Sequence, residues 1–161
     1  MDELQLLLDL HKDGARQGPG GDHETSLAVA LSGLRGKADL RIADIGCGTG
    51  ASTLVLAREL DAHITAVDFL PEFLDRLEDA AGRSGFADRI TTLAASMESL
   101  PFAPAAYDAI WSEGAIYNMG FAKGLQVWKK FLKPGGYLAV SEAAQPPSAT
   151  LGDRRQQTPT L

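Results

Sequence analysis

The run Asp44-Ile45-Gly46-Cys47-Gly48-Thr49-Gly50 carries the densest chemical signal in the chain. Glycines at this spacing let a backbone turn tightly and approach a ligand with no Cβ in the way. A helix opening directly after them offers N–H groups and a partial positive charge to a carboxylate or phosphate. Gly46, Gly48 and Ala51 also satisfy the dinucleotide fingerprint G-x-G-x-x-G/A, and Asp68 lies at the distance expected of its ribose-binding acid. From these residues alone a dinucleotide site, a site for another anionic ligand and a tight strand–helix turn with no ligand all stay open. So does a simpler role for Asp68, capping the helix that starts near Pro71.

The elements that must position these residues can be read outward from the loop. Asp2 to about Lys12 places Leu4, Leu7, Leu8 and His11 at helical spacing, and Gly14 to Gly21 is rich in breakers. Asp22 is expected to cap a second helix with Leu27, Ala30, Leu31 and Leu34 as its apolar stripe. Strands are expected at Leu40–Ile45, His63–Asp68, Arg89–Ala95, Tyr107–Trp111 and Tyr137–Ser141. Helices are expected from Ala51 to Leu60, from Pro71 to about Ser84-Gly85, and around Leu125 to Leu132, with Lys133-Pro134-Gly135-Gly136 as a turn. Strands alternating with helices, with no hairpin signal between them, give an α/β fold. The expected architecture is a Rossmann-like, doubly wound and mainly parallel sheet of about five strands with helices on both faces. Residues 143–161 show neither a period of 2 nor one of 3.6 and read as an irregular tail, so the expected domain is 1–142, its first 36 residues forming a helical lid.

Four features in fixed order join the loop: Asp44 before the glycines, Asp68 closing the second strand, Ser96-Met97-Glu98-Ser99-Leu100-Pro101-Phe102 after the third, and Lys133-Pro134-Gly135-Gly136 before the fifth. Together they resemble the motif series of class I S-adenosylmethionine (SAM)-dependent methyltransferases, from about Arg16 to Glu142. Arg16-Gln17-Gly18-Pro19-Gly20 and Trp111-Ser112-Glu113-Gly114-Ala115-Ile116-Tyr117-Asn118 resemble a bacterial branch acting on small molecules. The resemblance implies SAM as cofactor, with Asp44, Gly46, Cys47 and Gly48 at its amino-acid end. Asp68 would accept both ribose hydroxyls, a bidentate geometry suited to an ionised carboxylate. It implies Phe69 on one adenine face and Met97 on the other, with core filler as the alternative reading of Met97. Ser96 departs from the acid that many relatives carry for the adenine amino group. Glu113 would touch the SAM amino group or help to hold an acceptor.

Ligands bind beyond the C-terminal ends of such strands, which puts Trp111, Ser112, Glu113, Tyr117 and Asn118 at that edge. Tyr117 and Asn118 are candidate acceptor contacts, as is Gln17 in the glycine-rich segment that reads as a lid. Trp111 offers a flat surface or belongs to the core. His23 and Glu113 are candidate bases, but no spacing demands the role and no catalytic residue is assigned. The three histidines form no metal-ligand cluster, and Cys47 has no evident partner base.

The totals narrow the partners. The 161 residues suit one domain, and the net charge of −6 with no basic run argues against nucleic acid and anionic membrane surfaces. A single cysteine excludes an intrachain disulfide framework, and the acidic start, Asp2 and Glu3, is unlike a secretory leader, so a cytoplasmic setting is expected. The family-like text stops near Glu142, short of the helix and hairpin that usually finish the sheet. Strand five would then be an exposed edge that favours pairing with another chain, as in a homodimer.

Overall fold

The computed structural model describes residue 16 and residues 20–142. The expected helix before Lys12, Gln17 and the 143–161 tail therefore lie outside the described residues. Five strands form one sheet: β1 (Leu40–Ile45), β2 (Ala62–Asp68), β3 (Ile90–Ala94), β4 (Tyr107–Glu113) and β5 (Leu132–Ser141). Their spatial order is β3-β2-β1-β4-β5, and every pairing is parallel. The helices are α1 (Asp22–Ser32), α2 (Ala51–Glu59), α3 (Pro71–Ser84) and α4 (Phe121–Trp128).

A central parallel strand is covered on both faces, so its sequence is apolar throughout rather than alternating. In β1 only Arg41 is exposed. Alternation then sorts its residues between two cores. Ile42 packs with Ile64, Ala109 and Trp111 beneath Val29 and Leu34 and against Leu56 and Leu60 of the α2 segment. Ala43 and Ile45 face the other way, toward Ile110, Ile116, Trp128 and Phe131. The α3 residues Leu74 and Leu77 close over Ala66 beside the glycine loop. Helices on both faces of a parallel sheet are the doubly wound arrangement expected from sequence.

Four local expectations need correction. Asp22 is the first residue of α1 and not its cap; Gly21 occupies the cap position, with no side-chain bond. The buried stripe of α1 is Thr25 and Val29, whereas Leu27 and Leu31 are 52% and 73% exposed. The face is set by what lies beneath it, and Thr25 turns inward because its hydroxyl bonds Glu113. The last helix sits earlier than read, at Phe121–Trp128, followed by a 3-10 turn at Lys129–Phe131. The Lys133–Gly136 segment is drawn into β5, with a register shift opposite Tyr107 and Ala109, so the strand starts at Leu132. Lys133 anchors it by donating to both oxygens of Asp108. Among the described residues β5 ends the sheet order, as an edge strand.

Candidate functional site

The strand order reverses direction at β1, whose neighbours are β2 on one side and β4 on the other. Chain connections leave such a switch point in opposite directions and open a crevice there. Gly46 follows β1, Asp68 ends β2 and Glu113 ends β4, so the sheet itself brings these distant residues together. Between them lies a cavity of about 490 Å³, within the ordinary range for small-ligand sites.

The glycine loop is held by its own hydrogen bonds. The N–H groups of Gly46 and Cys47 both donate to the Val67 carbonyl, at 2.8 and 2.9 Å. Gly48 N–H donates to Asp68 Oδ2 at 2.9 Å, and Leu70 N–H to Asp68 Oδ1 at 3.0 Å. The carboxylate therefore faces the loop, and one side chain serves both the turn before Pro71 and the wall of the cavity. Within the loop itself, Val67 and Asp68 take the N–H groups of residues 46 to 48. Gly46 has φ +73°, and a Cβ there would come within 2.4 Å of the Ala115 Cβ, so the loop packs directly on the segment after β4.

Asp44 lies beneath this layer, fully buried and outside the cavity lining. Its Oδ2 accepts from Ser52 Oγ at 2.8 Å and Thr53 Oγ1 at 2.7 Å, while Oδ1 has no partner among the described residues. Burial outweighs the two hydroxyls and raises its pKa to about 6. Asp44 ties the first turn of α2 to β1 from a position beneath the cavity lining. Cys47 lines the cavity, yet burial and the neighbouring Asp44 and Asp68 carboxylates push its thiol well above the ordinary range. A neutral thiol is a poor nucleophile.

Glu113 is the hub of the opposite wall. Its Oε2 accepts from Arg16 Nη1 at 2.7 Å and Thr25 Oγ1 at 3.0 Å, and its Oε1 accepts from Trp111 Nε1 at 2.8 Å. Trp111 is fully buried, which removes it as a flat surface for an acceptor. Ser112 ties β4 to β1 by donating to the Ile45 carbonyl.

The structure gathers Gly46, Cys47, Gly48, Asp68, Phe69, Ser96, Met97, Glu113, Tyr117 and Asn118 around the one cavity. Phe69 and Tyr117 stand at its rim, 57% and 60% exposed. Ser96 Oγ accepts from Glu98 N–H, and the Met97 carbonyl accepts from Trp128 Nε1. Asn118 donates to the Ala115 carbonyl. Among the lining residues that the sequence reading gave no role at the site are Arg16, part of a motif, and Phe73 at the start of α3. His23 is exposed on α1 and does not line the cavity. Among the described residues no group of three or more histidine, cysteine or acidic side chains is placed to hold a metal, and no helix is long and apolar enough to cross a membrane.

Comparison with known proteins gives the same region a family. A family model described as a methyltransferase domain matches residues 42–136. A 27-O-demethylrifamycin SV methyltransferase from Amycolatopsis mediterranei is 28% identical over 126 residues, covering 77% of this chain and 46% of that protein. The [4+2]-cyclase SpnF superposes with a TM-score of 0.67 at 28% identity, covering 75% of this chain and 44% of that one. A SAM-dependent methyltransferase from Geobacter sulfurreducens, solved with S-adenosylhomocysteine, shares the fold at a TM-score of 0.74 and 19% identity, covering 87% of this chain and 55% of that one. The chain thus spans about half the length of relatives such as these.

Proposed function

We propose, for a chain that belongs to the SAM-dependent methyltransferase family, that the cavity binds SAM and serves methyl transfer to a small-molecule acceptor. SAM is the cofactor of that family, so the dinucleotide reading of the loop gives way. The observation that carries the proposal is the Asp68 carboxylate, fixed at the end of β2 by the N–H groups of Gly48 and Leu70 and facing the glycine loop across the cavity wall.

The residues present fit the group. Each Asp68 oxygen takes one backbone N–H, and a carboxylate offers about four lone-pair sites, which leaves capacity for both hydroxyls of a ribose. Phe69 presents an exposed ring at the rim for one face of an adenine, and Met97 lines the cavity for the other. The Ser96 hydroxyl already accepts from Glu98 N–H, so adenine would depend on stacking and backbone contacts more than on this side chain.

SAM supplies an electrophilic methyl group on a sulfonium, and what the protein contributes is alignment and the exclusion of water. Glu113 holds three donors, which suits an anchor of the site wall better than a general base. Tyr117 and Asn118, at the cavity edge after β4, are the acceptor contacts this reading favours. Titration calorimetry with SAM and with NAD tests the cofactor: SAM should bind and NAD should not, and the reverse would overturn the proposal.

One observation favours a second reading. The similarity to a cyclase means that this fold also serves chemistry other than methyl transfer. A SAM-binding module without turnover would bind SAM equally well. Release of S-adenosylhomocysteine across a panel of small metabolites supports the enzyme; SAM binding with no release from any of them favours the module.

A further inference from the structure

Stacking on an exposed ring such as Phe69 tolerates any base, because every base has a π face. Preference for one base comes instead from polar groups whose direction is fixed, since a hydrogen bond weakens steeply once misaligned. The cavity wall carries such groups in the turn after β3, where Ser96, Met97 and Glu98 line it. Two bonds within the turn shape it: Ser99 N–H donates to the Ser96 carbonyl at 3.0 Å, and Glu98 N–H to Ser96 Oγ at 3.3 Å. β3 ends the sheet order, so the sheet supports this turn from one side only.

α4 supplies the remaining support. Trp128 Nε1 donates to the Met97 carbonyl at 3.0 Å, from a side chain that is fully buried. A peptide group is planar, so this bond and the one to the Ser96 carbonyl fix the two peptide planes that flank Met97. The Met97 side chain packs against the buried cluster that contains Trp128. Its Cε ends by the glycine loop, 3.5 Å from where a Gly46 Cβ would stand. Lys123 of α4 adds an ion pair to Glu98 at 2.6 Å, but both side chains are more than half exposed, and such pairs contribute little. The indole is the tie that matters.

We infer that Trp128 is a positioning residue for the base of the cofactor: by holding the Met97 carbonyl it aims the polar groups of the turn and so sets the preference for adenine. Trp128 does not line the cavity, so it acts through Met97. The inference rests on the proposal that the cavity binds SAM. Its distinguishing feature is the N–H donor, because a ring without one fills the same core.

The test compares S-adenosylhomocysteine with S-inosylhomocysteine, which differs at the exocyclic group of the base and the ring nitrogen beside it. Both are titrated into the full chain by calorimetry. The wild-type protein should prefer the adenine ligand by about tenfold or more, the scale of one or two directed hydrogen bonds. Trp128→Phe keeps a ring in the core and removes the donor. It should cut the preference to about threefold or less by weakening the adenine ligand, while affinity for the inosine ligand stays within about twofold and reports a folded site. Trp128→benzothienylalanine, an isostere of the indole without its N–H, should give the same result and stands in if the phenylalanine variant does not fold. Lys123→Met should leave the preference within about twofold of wild type. Equal weakening of both ligands in the donor-free variants would make Trp128 a core residue only and overturn the inference, as would an unchanged preference. A wild-type protein that binds both ligands alike also overturns it, and the SAM-site proposal then survives. If the wild-type protein binds neither ligand, both fall together.

Discussion

Replacing Asp44 with asparagine removes a fully buried carboxylate from beneath the glycine loop without changing its shape. Burial raises its pKa to about 6, while an unfolded chain holds an aspartate near 3.9. The native state therefore binds the proton more tightly than the unfolded state across that interval. The contribution of this group to stability is most favourable below about pH 4, declines as the pH rises through the interval, and levels off above about 6. A rise of this size corresponds to a penalty of about 3 kcal/mol at neutral pH, of which roughly half is recovered on going from pH 8 to pH 5. The Asp44→Asn variant has no such dependence, and its side-chain oxygen can still accept from Ser52 and Thr53. Urea denaturation of both proteins at pH 5 and pH 8 measures the difference directly. Asp44→Asn should be the more stable at pH 8 by about 1–3 kcal/mol, less than the full figure if its amide hydrogens find no partner. The gap should narrow by about 1.5 kcal/mol at pH 5. Parallel shifts of the two midpoints over this range would refute the reasoning, because Asp44 would then carry no burial penalty.

Four further outcomes are expected. Asp68→Ala should weaken SAM binding by about 1–3 kcal/mol in calorimetry, the loss of a charged hydrogen-bond partner. Gly46→Ala should destabilise the fold by about 2–4 kcal/mol in urea denaturation, combining a left-handed φ with a Cβ 2.4 Å from that of Ala115. Trp111→Phe leaves Glu113 Oε1 without its donor and should cost about 1–3 kcal/mol by the same measurement. Removing residues 143–161 should change SAM affinity less than about twofold, well below the cost of one lost contact; a larger loss would assign that segment to the site.

What the sequence shows and what it hides have physical reasons. The α/β alternation, the five strands and the loop between β1 and α2 were legible because local pattern specifies them: buried runs for strands, glycines where φ must be positive. Asp68 was legible because its place follows from the end of a strand. The placing of Arg16 was not, since it arises from a contact with Glu113 across 97 positions. The stripe on α1 was misread because Leu27 and Leu31 have the same period as Thr25 and Val29, and only the sheet beneath decides which face turns inward. Nothing local reveals that the Val67 carbonyl meets two of the loop N–H groups. The start of β5 was missed because glycine and proline signal a turn, while Lys133 and Asp108 bind that segment to β4.

A crystal structure of the chain with S-adenosylhomocysteine tests the central claim most directly. Both ribose hydroxyls should lie about 3 Å or less from the Asp68 carboxylate, with the adenine beside Phe69 and the amino-acid end in the cavity between the glycine loop and Glu113. A ligand seated elsewhere, or a ribose turned away from Asp68, would contradict the account.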